Sequence, residues 1–114
     1  MTILPNNYLE VVHVMRVERT YQAVSETTGV PVEQMLKRTR RYAVAMPRHL
    51  VRYILVAHYG MPLAEVARLT GASHHTTVMH SRNLVAAQTS GRRYAPVAKA
   101  YTQACERLQL APIS

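Results

Sequence analysis

Tryptophan and phenylalanine are absent from this 114-residue chain, cysteine occurs once, glycine four times, and acidic residues number only six. Without the large aromatics, a sheet-rich interior has little to build on, and the apolar set of Val, Leu, Ala, Met and Tyr suits packed helices. A lone Cys105 excludes an internal disulfide. Its place in the pattern Ala98, Tyr101, Ala104, Cys105, Leu108 marks it as a small core residue. No uninterrupted apolar run approaches a membrane span, and the first fifteen residues lack a basic leader pattern, so the expectation is a cytoplasmic protein with no membrane partner. The length fits one domain, residues 1–114, with a modest core.

The shortage of acids leaves fourteen Lys and Arg against six carboxylates, a formal net charge of +8. Polyanions are the natural partner of such a domain. The charge is also clustered. Between Glu33 and Glu65 there is no acid, while Lys37, Arg38, Arg40, Arg41, Arg48 and Arg52 all fall in that interval. A purely solubilising surface would mix both signs.

The spacing of apolar residues predicts an all-α chain, a compact bundle of about six helices. Asn6 or Asn7 can cap a first helix over about 8–28, stopped by Gly29. After Val30-Pro31, residues 32–36 give one or two helical turns. Residues 37–46 have too few apolar residues in phase to continue and read as a basic loop. Pro47 suits a first helical position, and a helix over 47–59 follows, ended by Gly60. Residues 62–71 form a short helix begun by Pro62 and closed by Gly71, the first half of a helix-turn-helix. Ser73 can serve as the N-cap of the second half, which opens with Ser-His-His-Thr-Thr-Val-Met-His and carries Val78, Leu84 and Val85 as apolar positions. A break at Ser90-Gly91 precedes a last helix over about 94–108. Such a polar first turn is free to enter a DNA groove.

From about residue 24 to residue 88 the chain resembles the C-terminal DNA-binding domain of the bacterial chromosomal replication initiator DnaA. The anchors are Val32-x-x-Met35-Leu36 followed by a basic segment, then Pro47-Arg48, Leu63-x-Glu65-Val66, Gly71, and above all His75-Thr76-Thr77-Val78-Met79-His80. The resemblance implies a two-groove grip on double-stranded DNA. The helix beginning at His74 reads base edges in the major groove, and Arg40, on the basic loop, enters the neighbouring minor groove, whose negative potential draws a guanidinium. Thr76 and Thr77 offer methyl groups to thymine and hydroxyls to bases or phosphates, and His75 can bond a base edge. Arg48 matches a family contact residue, at a helix start suited to phosphate. Lys37, Arg38, Arg41 and Arg52 are candidates for phosphate contacts. The chain departs from the family pattern at His74, where an acidic residue is usual, at Ser73, often basic, at His49, often Gln, and at Asn83 and Leu84, where basic residues are usual. A related but different binding sequence is expected.

No Gly-x-x-x-x-Gly-Lys-Ser/Thr motif occurs, so no ATPase activity is expected and no cofactor is called for. The free-standing recognition module points to a transcriptional regulator or a modulator of replication initiation. Other readings compete. His74, His75 and His80 invite a metal, but spacings of five and six residues turn the rings apart on a helix. His80 serves either in packing or in a DNA contact. Tyr42 and Tyr53 could stack on unpaired bases, although packing suits them better. A small nuclease using histidine acid–base chemistry lacks the clustered carboxylates for a metal. A helical protein-interaction module with nonspecific nucleic-acid binding remains an alternative. Exposure of Tyr8, Val11, Val12 and Met15 on the first helix would favour a protein partner or homodimer there.

Overall fold

The computed structural model describes residues 5–37, 41–91 and 94–113, without the side chains of residues 5–7, 42 and 91. Six α-helices and no strand occur among them: α1 Pro5–Thr28, α2 Val32–Met35, α3 Tyr42–Ala57, α4 Leu63–Leu69, α5 His75–Ala86 and α6 Ala95–Leu108. The all-helical expectation holds. Helix α3 is the central element because Leu50, Val51, Ile54 and Leu55 give it a fully buried face on adjoining turns. Val24 of α1, Met35 of α2, Val66 of α4, Val78 and Val85 of α5 and Cys105 of α6 complete one apolar core. Cys105 is fully buried, as its pattern implied.

Three boundaries differ from expectation. Helix α1 is already under way at Pro5, so Asn6 and Asn7 lie inside it instead of capping it. Helix α3 begins at Tyr42, five residues before Pro47. Its apolar phase extends back from Leu50 to the buried Met46, one turn earlier. The amides of Val44 and Ala45 bond the Arg41 carbonyl at 3.0 and 2.8 Å, which starts the helix. Pro47 removes one later bond, to the carbonyl of Ala43 four residues back. Ala43 is exposed, so water can satisfy that carbonyl. The basic loop is accordingly shorter than 37–46. Third, α5 continues past its last α turn into a five-residue π segment, Ala87–Gly91, where a break was expected. The Thr89 hydroxyl donates to the Val85 carbonyl at 2.8 Å, and the Tyr94 amide returns to the Gln88 carbonyl at 2.8 Å.

The helix-turn-helix is α4, a short turn and α5. Gly71 at φ +74° makes the turn in the left-handed region that side-chain-bearing residues disfavour. The Ala72 amide then bonds the Ala67 carbonyl at 2.9 Å, closing the end of α4. A polar clasp holds α4 to α1: Arg68 bonds Glu10 at 2.7 Å and Glu65 at 3.0 Å, and His13 reaches Glu65 at 3.3 Å. The C-terminal segment is tied down elsewhere, by the Ile113 amide donating to the Tyr101 hydroxyl at 2.9 Å. That hydroxyl also meets His58 at 2.6 Å, which gives His58 a structural role. Tyr53 is buried edge-on against Tyr101, so it packs and does not offer a stacking platform.

Candidate nucleic-acid interface

Helix α5 owes its position to Val78, Ser81 and Val85, all fully buried against the core at spacings of three and four. The opposite face necessarily points outward, and Thr76, His80 and Asn83 lie on it, all exposed. His74 and His75 are exposed at the helix start, and Thr77 is half-buried toward α3. The N-cap is His74, one residue later than the expected Ser73. Its imidazole Nδ1 accepts from the Thr76 amide at 3.5 Å and meets the Thr76 hydroxyl at 3.0 Å. Ser73 is left exposed in the turn, and no hydrogen bond from it to a helical amide caps α5. The His74 ring stacks on His75, with centroids 4.8 Å apart and planes 28° from parallel.

Between this helix and the first half of α3 lies an open cleft of about 800 Å³. Arg48, His49, Ser73, Thr77 and His80 line it together with Arg52. Lys37, just past the end of α2, is exposed, and its carbonyl accepts a hydrogen bond from the Arg48 guanidinium. Arg41, the residue before α3, is exposed. The expected residues Arg38 and Arg40 lie outside the described residues. Arg48 sits in the second turn of α3 and not at a helix start, so the expected help from unpaired helix amides does not apply to it.

Two residues of this region have roles that the linear sequence hid. Arg52, expected on a phosphate, is buried. Its Nε donates to the Thr70 hydroxyl at 3.1 Å and its Nη2 to the Thr70 carbonyl at 3.3 Å. It fastens the helix-turn-helix to α3, because a buried guanidinium needs acceptors and the end of α4 supplies them. Ser81, not singled out in the sequence, is fully buried and meets His49 Nδ1 at 2.7 Å while donating to the Thr77 carbonyl at 3.1 Å. The signal was available: Ser81 occupies an apolar-phase position between Val78 and Val85, where a hydroxyl needs a partner.

With the Ser81 proton on the Thr77 carbonyl, His49 donates from Nδ1. His80 packs edge-on against it at 5.7 Å between centroids. Burial, and then the charges of Arg52, His80 and Arg48, push the His49 imidazole down to about 4. An unfolded histidine titrates near 6.5, so the unfolded chain takes up a proton that folded His49 resists. The stabilisation is complete above about pH 6.5 and is lost as the pH falls from there through about 4. His58, also lowered by burial, adds in the same direction. A His49→Gln variant should therefore show a shallower loss of melting temperature between neutral pH and about pH 4.5. Allowing for solvent screening, the difference should be about 1 kcal/mol, or about 4 °C for a domain of this size. Parallel melting curves for the two proteins would contradict this role.

Among the described residues, no three or more His, Cys, Asp or Glu side chains gather to hold a metal ion, and no helix is long and apolar enough to cross a membrane.

Residues 17–85, more than half of the chain, match the family described as bacterial DnaA protein helix-turn-helix. The chromosomal replication initiator protein DnaA of Chloroflexus aggregans is 36% identical over 69 residues, covering 60% of this chain and 14% of that protein. The corresponding protein of a Picosynechococcus strain is 33% identical over 60 residues, covering 53% of this chain and 13% of its own length. That of Kosmotoga olearia is 33% identical over 58 residues, covering 51% and 13%. The aligned part thus spans about one seventh of the length of these relatives. With the matched segment holding α4, the glycine turn and α5 in order, the chain belongs to the bacterial DnaA helix-turn-helix family.

Proposed function

We propose that the chain binds double-stranded DNA sequence-specifically, with the first turn of α5 in the major groove and the basic segment before α3 in the adjacent minor groove. The observation that carries this reading is the outward presentation of His74, His75 and Thr76 beside a cleft lined by Arg48, His49 and His80. Three polar side chains on an exposed helix start can reach base edges, and neighbouring cations can neutralise phosphates. In this grip His75, Thr76 and Thr77 read bases. Arg40 enters the minor groove. Lys37, Arg38, Arg41 and Arg48 hold phosphates, while His49, Ser73 and His80 line the approach. Residues 24–88 form the DNA-contacting core of a single domain, 1–114. This domain acts in the cytoplasm, serving a transcriptional regulator or a modulator of replication initiation.

A protein contact accompanies this role. Tyr8, Leu9, Val11 and Met15 are exposed on α1 and Val12 is half-buried, an apolar surface suited to a protein partner or a second copy. A helical interaction module that touches nucleic acid only nonspecifically would use the same surface.

Selection from a random duplex pool separates the two readings. Sequence-specific binding should enrich a defined motif, and the recovered motif shows how far it departs from an initiator-type site. Recovery of unbiased sequence at low salt would leave the interaction module as the function.

A further inference from the structure

The cap of α5 fixes which edge of His74 faces outward. Nδ1 is turned inward, to the Thr76 amide and hydroxyl. An imidazole nitrogen that accepts a hydrogen bond carries no proton, so in the capping ring the proton resides on Nε2. The stack on His75 holds the plane of the ring. In the tautomer that caps the helix, Nε2 is a donor and not an acceptor.

We propose that His74 is a specificity-determining residue that selects guanine through Nε2–H, an inference that rests on the major-groove reading above. Guanine presents two neighbouring acceptors in the major groove, N7 and O6. Adenine sets an amino donor beside N7, thymine sets a methyl group beside O4, and cytosine offers only an amino donor. A donor-only side chain therefore ranks guanine first and cytosine last. The DnaA resemblance places an acidic residue, an obligate acceptor, at this position in the family. The sign of the hydrogen bond is reversed here, and the preferred base reverses with it.

The test compares the full chain with His74→Ala and His74→Asp in parallel selections from a random duplex pool, with helix content checked by circular dichroism. Aspartate is itself a good N-cap, so the Asp variant keeps α5 anchored while presenting an acceptor. The wild type should enrich guanine at one position that becomes unselective in His74→Ala and turns to cytosine in His74→Asp, with the rest of the motif unchanged. On a fixed duplex, reversing that G·C pair should weaken the wild type by roughly fivefold and His74→Ala by less than about twofold. An A·T pair at the His74-dependent position in the wild-type motif would overturn the assignment. So would identical motifs from all three proteins, or a loss of affinity in His74→Ala shared equally by every duplex, which marks a phosphate contact. A wild-type selection that enriches no motif removes the base-reading function itself, whereas a motif that survives His74→Ala intact removes only the role of His74.

Discussion

Raising monovalent salt from about 50 to about 200 mM should weaken duplex binding by about two to four orders of magnitude, corresponding to a log–log slope of about −4 to −7. The range follows from roughly five to eight neutralised phosphates, each releasing a condensed counterion. The cations proposed to supply this term are Lys37, Arg38, Arg40, Arg41 and Arg48, in a stretch of chain without a single carboxylate from residue 34 to residue 64. Lys37→Gln or Arg41→Gln should flatten the slope by about 1 and weaken specific and scrambled duplexes alike. Arg52→Gln should leave the slope unchanged even though Arg52 belongs to the same run of charge. Its guanidinium is buried on Thr70 and takes no counterion with it. Isothermal titration or fluorescence anisotropy at four or five salt concentrations reads these slopes directly. A slope near zero for the wild type would remove the phosphate grip.

The contrast between Arg41 and Arg52 shows where the sequence was legible. Punctuation made the helix-turn-helix readable: Pro62 before α4, Gly71 in the turn, and apolar Val78 and Val85 setting the buried side of α5. The same logic failed at α3. Prolines favour a helix start, which points to Pro47, but Met46 one turn before Leu50 extends the apolar phase, and an exposed Ala43 tolerates the lost hydrogen bond. The cap of α5 slipped by one residue because an imidazole took the place expected of a serine hydroxyl.

Contacts across large sequence separations were out of reach. Arg52 meets Thr70 from 18 residues away, and His49 meets Ser81 from 32. A linear run of basic residues reports charge but not depth, and only the fold, which brings Thr70 at the end of α4 onto Arg52, separates it from its neighbours. His49 is similar. The resemblance marks it as a departure from the family's usual Gln, but only its bond to buried Ser81 reveals that it also braces α3 against α5.

The central claim is that the first turn of α5 reads bases, and it is tested most directly by comparing His75→Ala and Thr76→Ala with the wild type on two duplexes, one carrying the selected motif and one scrambled. Both side chains are exposed and neither is part of the core. Truncation should therefore leave the fold in place. On the motif each variant should lose about 1 to 3 kcal/mol, roughly a 5- to 150-fold drop in affinity, because a base edge loses its partner. On the scrambled duplex, where phosphate contacts supply the affinity, the loss should be much smaller. Equal losses on the two duplexes would contradict base readout by α5.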